Sequence, residues 1–347
     1  MGDVVHTVGG VAYAWVDSWA RLPDEPSRRL GWAHHGVAVS REGDVVTFHP
    51  GDSRVLVFAA DGRLLRSWDA PVLDAHGITL TAEGSVEHLW IADPGAKRDP
   101  GIGYQYAPGP RRGQVLKFHM DGVPALTLAR PPGDLYRRGT YSPTSVAVFE
   151  ERLGGTGGVW VADGYGESHV HRYAKDGAYL GSITGTEGSA GRFNCPHAVF
   201  IDTRRDDPEL YIADRTNRRI QVYDLDGRFK RTFGQEFLTS PSAFVVSGDA
   251  LIVAELYGRL TVLDRDDRLV GHLGSHPVIA PAADTVPTRL PGWPNRLGPG
   301  GGPVRPPDLA PGVFNSPHGV AVDQRGDLYV VEWMIGGRYT KLVRTSP

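Results

Sequence analysis

Short apolar runs recur along the whole chain, bounded by Gly, Pro, Asp or Asn, and no stretch keeps the spacing of an amphipathic helix. Six runs open alike. They are His35-Gly-Val-Ala-Val39, His76-Gly-Ile-Thr-Leu80, Pro143-Thr-Ser-Val-Ala-Val148, Pro196-His-Ala-Val-Phe-Ile201, Pro241-Ser-Ala-Phe-Val-Val246 and Pro317-His-Gly-Val-Ala-Val322. After each comes a turn and a second apolar run. In five repeats this second run ends in an acid: Asp93, Asp163, Asp214, Glu255 and Glu332. A third run follows, then in four repeats an Asp-Gly pair (Asp61-Gly62, Asp121-Gly122, Asp176-Gly177, Asp226-Gly227), then a fourth run. Asp-Gly between alternating runs signals a tight hairpin, expected here as a type I′ turn with both central residues at positive φ. Four antiparallel strands repeated six times predict an all-β, six-bladed β-propeller.

The equivalent positions, His35, His76, Thr144, His197, Ser242 and His318, are 41, 68, 53, 45 and 76 residues apart. The two long intervals hold insertions at about 94–112 and 275–313. Both are rich in Gly and Pro and are expected as loops of a single domain, 1–347. The last repeat lacks a fourth strand, and the spare run Val11–Val16 is expected to supply it, closing the last blade.

Composition narrows the class. Net charge is −3 with no basic block, which argues against nucleic acid or an anionic membrane as partner and leaves a small-molecule substrate. A protein partner stays open. Cys195 is the only cysteine, so an internal disulfide or a cysteine-based zinc site is excluded. No basic and apolar leader opens the chain and no apolar run reaches about 20 residues, so a soluble, cytoplasmic protein is expected.

Histidine fills 13 of 347 positions, so the six equivalent slots should hold about 0.2 by chance, yet they hold four. The first strand of a propeller blade lines the axis, and the acidic end of the second returns to the same mouth. His76, His197 and His318 stand in alternate blades, about 120° apart in a six-fold ring. Three imidazoles converging at one depth suit a three-histidine metal site with an open position, zinc first, with iron, copper or manganese as alternatives. His35 as a fourth ligand would close that site; it is expected in a supporting or acid–base role, with packing as the alternative. His34, His49, His169, His171, His272 and His276 follow no register and are expected as surface or local residues.

Three segments then resemble known text. They are Val159-Trp-Val-Ala-Asp-Gly-Tyr165-Gly-Glu-Ser-His-Val-His-Arg-Tyr173, Gly191-Arg-Phe-Asn-Cys-Pro-His197, and Tyr211-Ile-Ala-Asp-Arg215-Thr-Asn-Arg-Arg-Ile-Gln-Val222. They resemble NHL-repeat propellers and, more narrowly, peptidyl-α-hydroxyglycine α-amidating lyase. That family cleaves a carbinolamide C–N bond and releases an amide and glyoxylate. The resemblance implies zinc on His76, His197 and His318, catalytic Tyr165 as a general base, and Arg215 to fork onto a substrate carboxylate. Two departures stand out. Pro50, in Phe48-His49-Pro50-Gly51-Asp52, replaces an arginine of the family's first blade, with Arg54 nearby as a substitute. Gly319 replaces an aspartate that follows the last zinc histidine, which puts structural calcium in doubt.

The leading expectation is therefore a metal-dependent, lyase-like enzyme that cleaves a C–N bond beside a hydroxyl-bearing carbon. A metal-dependent hydrolase and a non-catalytic NHL-type binding propeller are the alternatives. A calcium-dependent lactonase ranks last, because its axial carboxylates are replaced here by His, Thr and Ser.

Overall fold

A computed structural model describes residues 4–280 and 290–345. The fold is an all-β, six-bladed β-propeller whose only α-helices are the short Pro26–Leu30 and Leu135–Arg138 among the described residues. Blade one comprises Ala38–Val39, Val45–Phe48, Arg54–Phe58 and Leu64–Asp69. Blade two comprises Gly77–Glu83, Val86–Asp93, Gln114–His119 and Pro124–Leu128. Blade three comprises Ser145–Val148, Val159–Asp163, His169–Tyr173 and Tyr179–Ile183. Blade four comprises Pro196–Asp202, Glu209–Asp214, Arg219–Tyr223 and Phe229–Phe233. Blade five comprises Pro241–Ser247, Ala250–Glu255, Arg259–Leu263 and Leu269–Leu273, and blade six opens with Pro317–Val322, Leu328–Glu332 and Arg338–Arg344.

Backbone contacts group the described residues into two compact units. The first holds residues up to Asp69, Lys97–Ala107 and those from Phe244 on; the second holds Ala70–Ala96 and Pro108–Ala243. In the second unit the second strands Val159–Asp163 and Glu209–Asp214 are buried throughout, whereas the fourth strands Tyr179–Ile183 and Phe229–Phe233 alternate. Continuous apolar runs thus mark strands covered on both faces, and alternation marks strands with one wet face. Between blades three and four, Trp160, Ile183, Phe193, Leu210 and Tyr223 form one apolar cluster. Each such side chain contributes about 1.5–3 kcal/mol as an upper estimate. In the first unit, Trp19, Phe58, Tyr329 and Tyr339 join a comparable cluster.

The last blade closes as expected: Val11–Val16 pairs with Arg338–Arg344, from Tyr13 opposite Arg344 to Val16 opposite Lys341. Val5–Val8 adds a fifth, outermost strand that the repeat pattern had not revealed. The Asp-Gly turns differ from expectation. Gly62, Gly122, Gly177 and Gly227 have φ of 84°, 91°, 87° and 88°, but the preceding aspartates are not at positive φ. Gly62 N donates to Ala59 O at 2.9 Å, and the strand register shifts between Val57 and Phe58. This is a type I turn followed by a glycine bulge. The reason is local: Asp61 Oδ1 accepts from Arg63 N at 2.9 Å, a side-chain turn that keeps the aspartate at negative φ.

Of the insertions, 94–112 contains a small hairpin, Arg98–Asp99 with Gln105–Tyr106. In 275–313, residues 281–289 lie outside the described residues, and Arg296–Leu297 pairs with Pro303–Val304. No helix among the described residues is long and apolar enough to cross a membrane.

Candidate functional site

The acids that end the second strands prepare the site. Asp163 accepts from Ser142 N, Glu167 N and Tyr136 Oη, each at 2.7 Å. One carboxylate therefore pins both the loop before Thr144 and the turn that carries Tyr165. Burial raises the Asp163 pKa from its ordinary value against the pull of these donors. The turn reads Gly164-Tyr165-Gly166 for steric reasons. A Cβ at Gly164 would lie 2.5 Å from Pro196 O, and one at Gly166 would lie 2.2 Å from Thr140 O. In the next blade, Asp214 accepts from Asn194 N and Arg219 Nε, both at 2.7 Å, and Arg215 N donates to Cys195 O at 3.1 Å.

Four sequence-identified residues meet within the second unit. Tyr165 Oη lies 3.1 Å from His76 Nε2 and 3.0 Å from His197 Nε2. Arg215 Nη1 donates to the same oxygen at 3.1 Å, with its guanidinium over the Tyr165 ring at 5.3 Å. The His76 and His197 rings are 4.7 Å apart. His76 Nδ1 donates to Thr144 O at 2.6 Å, and His197 Nδ1 donates to Ser242 O at 2.8 Å. A carbonyl can only accept, so Nδ1 carries the proton and the neutral ring keeps its lone pair on Nε2. Two such lone pairs then face one hydroxyl, which has a single hydrogen to offer. A cation bound to the Nε2 atoms would take up both lone pairs. The donor set therefore fits a first-row divalent metal.

His318 lies in the first unit and is set in the same way: its Nδ1 donates to His35 O at 3.0 Å. Each of the three histidines thus gives its Nδ1 proton to the carbonyl of the equivalent residue one blade on. His197 and His318 both stand at register shifts, Pro196/Ala198 and Pro317/Gly319, and bulges of this kind re-aim a side chain. Gly77 admits the cap of His76, because a Cβ there would lie 2.6 Å from Thr144 O, the oxygen that takes the imidazole proton.

The His35 ring is committed on both nitrogens within its unit. Nδ1 lies 3.1 Å from Thr47 Oγ1 and Nε2 lies 2.8 Å from Tyr339 Oη. Burial, then Lys97, pushes its pKa well below the ordinary histidine value, so the ring is neutral. Arg54 is paired with Glu25 and, at 3.1 Å, with Asp52. Gly319 packs with its Cα side against the next strand: a Cβ would lie 3.1 Å from Gly36 Cα and 3.0 Å from Val331 Cγ2. Any side chain there would need these neighbours to give by a few tenths of an ångström.

Three residues set aside as surface or local are buried. His49 accepts from Gly51 N at 3.2 Å and Asp52 N at 2.8 Å, replacing in blade one the acid that ends the other second strands. His171 bridges Tyr136 Oη at 2.7 Å and Ser182 Oγ at 2.6 Å behind Asp163, and burial lowers its pKa to about 3. His34 lies with its ring 4.6 Å from that of His318 and 5.2 Å from that of Trp333. Only its place directly before His35 could have drawn attention to it.

These repeats place the chain among known proteins. The NHL repeat family matches residues 314–333. Over 277 residues the chain is 30% identical to NHL repeat-containing protein 3 of Mus musculus, covering 71% of this chain and 72% of that one. The chain belongs to this family of NHL repeat-containing proteins. It is also 27% identical over 221 residues to peptidyl-glycine alpha-amidating monooxygenase B of Xenopus laevis, spanning 60% of this chain but 21% of that protein. Among solved structures, a streptogramin B lyase superposes with a TM-score of 0.55 at 13% identity, covering 96% of this chain and 98% of that one, a likeness of fold.

Proposed function

We propose that this protein is a metal-dependent lyase that cleaves a C–N bond next to a hydroxyl-bearing carbon in a small molecule. The observation that carries this reading is the convergence of two Nδ1-capped imidazoles and a guanidinium on the Tyr165 oxygen, at 3.0–3.1 Å. The similarity to an amidating monooxygenase supports the reaction class. His76 and His197 supply two ligands, and the repeat register assigns His318 as the third.

A zinc ion held on these imidazoles would supply Lewis acidity toward the substrate hydroxyl. The protein's own groups do the rest. Tyr165 acts as a phenolate, held by the charged Arg215 donor at its oxygen; it takes the hydroxyl proton and becomes the neutral phenol. As the C–O bond becomes C=O, the C–N bond breaks and its electron pair stays on nitrogen. The nitrogen recovers a proton from Tyr165, so an N-acyl carbinolamide yields an amide and an aldehyde. Thr144 and Ser242 act through their carbonyls, which fix the tautomers of His76 and His197. His35 does the same for His318 and is a positioning residue; its buried, neutral ring holds the strand start in place.

Metal analysis of protein purified without a histidine tag tests the reading. We expect about one equivalent of zinc or a related divalent ion, lost in His76→Ala and in His197→Ala, and a lower melting temperature after chelation. Released glyoxylate from an N-acyl-α-hydroxyglycine reports turnover. Less than about half an equivalent of metal, with melting unchanged by chelation, sinks the proposal and favours a binding propeller.

A further inference from the structure

Beside His318, within the first unit, stands an imidazole that has no part in the proposed reaction. His34 is buried, and its ring centre lies 4.6 Å from that of His318. One ring nitrogen of His34 lies within 4.8 Å of a ring nitrogen of His318. The backbone puts it there. Trp32–Ala33 pairs with Met334–Ile335, Ala33 opposite Met334, so His34 comes next to Trp333 and its ring packs at 5.2 Å on the indole. Trp333 N donates to Ser316 O at 2.9 Å, which ties that strand end to the segment leading into His318. On the other side, His35 O takes the Nδ1 proton of His318 at 3.0 Å, so the residue after His34 is bonded to the His318 ring itself. The same bond leaves His318 with its lone pair on Nε2.

We infer that His34 is a fourth imidazole ligand of the metal ion that His318 helps to hold. The inference rests on the metal-dependent reading above. Two imidazoles sharing a tetrahedral zinc, with Zn–N of about 2.0–2.1 Å, stand with their ring centres about 5 Å apart. His34 and His318 at 4.6 Å meet this, as do His76 and His197 at 4.7 Å. The ligand nitrogens of such a pair are about 3.3 Å apart, and the ion supplies the attraction that draws two lone pairs to that distance. With four imidazoles the resting ion is tetrahedral. The substrate hydroxyl then joins as a fifth donor, an expansion that zinc accepts.

His34→Phe tests this, because it keeps an aromatic ring against Trp333 and removes both ring nitrogens. The full chain and the variant are stripped with chelator and reloaded with cobalt(II), whose visible absorption reads the number and kind of donors. Zinc affinity is measured by competition with a chromophoric chelator. In His34→Phe the cobalt band is expected to shift, and zinc to bind more weakly by over about 100-fold, beyond the loss typical of a partner outside the coordination sphere. The melting temperature of the metal-free protein is expected to stay at the parent's value. An unchanged cobalt band in His34→Phe overturns the inference and leaves the metal reading standing, whereas a parent chain that takes up no metal sinks both. Should His34→Phe fail to fold, X-ray absorption at the zinc edge of the parent chain decides: four imidazoles support the inference, and three imidazoles with an oxygen overturn it.

Discussion

Tyr165 carries more of the proposed chemistry than any other single atom group, because one oxygen faces two imidazoles and a guanidinium. Tyr165→Phe removes that oxygen and leaves the ring over which Arg215 sits. Turnover is expected to fall by about 10²–10⁴, the usual share of a general base, with metal content and melting temperature close to the parent's. Undiminished glyoxylate release by Tyr165→Phe would remove tyrosine from the mechanism. Tyr165 and Arg215 entered through the family resemblance, and each stands in the turn after a second strand, where the structure brings it to the His76 and His197 imidazoles. The caps on Nδ1 were not legible in the sequence. The partners of His76 and His197 are backbone carbonyls 68 and 45 residues away, and a carbonyl leaves no mark on side-chain identity. Gly77 was the one trace, since only a missing Cβ admits Thr144 O so closely. The misreading of His49 and His171 has a similar cause: one replaces an acid and the other serves a network behind it, so neither follows the repeat.

At the scale of the element, the turns separate backbone strain from steric contact. Gly43 and Gly62 have nearly the same φ, 88° and 84°, and both sit in hairpin turns of blade one. Beyond Gly43 there is open space, whereas a Cβ on Gly62 would lie 2.0 Å from Trp19 O. The approach is held by Arg21 N, which donates to Gly62 O at 2.9 Å, and by Trp19 Nε1, which donates to Ala60 O at 3.0 Å. Gly43→Ala is therefore expected to cost the left-handed conformation alone, about 1–2 kcal/mol. Gly62→Ala must also displace the segment from Trp19 to Arg21, and a loss above about 4 kcal/mol is expected. Urea unfolding of both variants checks this, and equal losses would refute the steric argument. The sequence marked these hairpins correctly but not their turn type. An Asp-Gly pair admits either a type I′ turn or a type I turn with a bulge, and the choice falls to a side-chain hydrogen bond such as that from Arg63 N to Asp61.

For the molecule as a whole, six repeats were legible because each returns the same key position and the same buried second strand. Less legible was how firmly the N-terminal segment is built into the last blade. Val11–Val16 takes the inner place beside Arg338–Arg344, and Val5–Val8 covers its other edge. The joint is reinforced by side chains: Trp15 packs on Phe314 at 4.6 Å, Arg338 lies over Trp15 at 5.3 Å, and Arg338 Nε donates to Asp17 at 2.8 Å. A chain beginning at Ser18 loses all of these and exposes the backbone of Arg338–Arg344 as an open edge. Arg338 would then be left buried beside Glu332 without Asp17, and edge strands with unpaired N–H and C=O groups recruit other chains. The truncated protein is expected to melt well below the parent and to elute as aggregate in size-exclusion chromatography. Adding the peptide of residues 1–17 in excess should restore part of the melting temperature, because the missing strand binds only the folded acceptor. A truncated chain that stays monomeric with the parent's melting temperature would show that the sheet closes without its N-terminal strands.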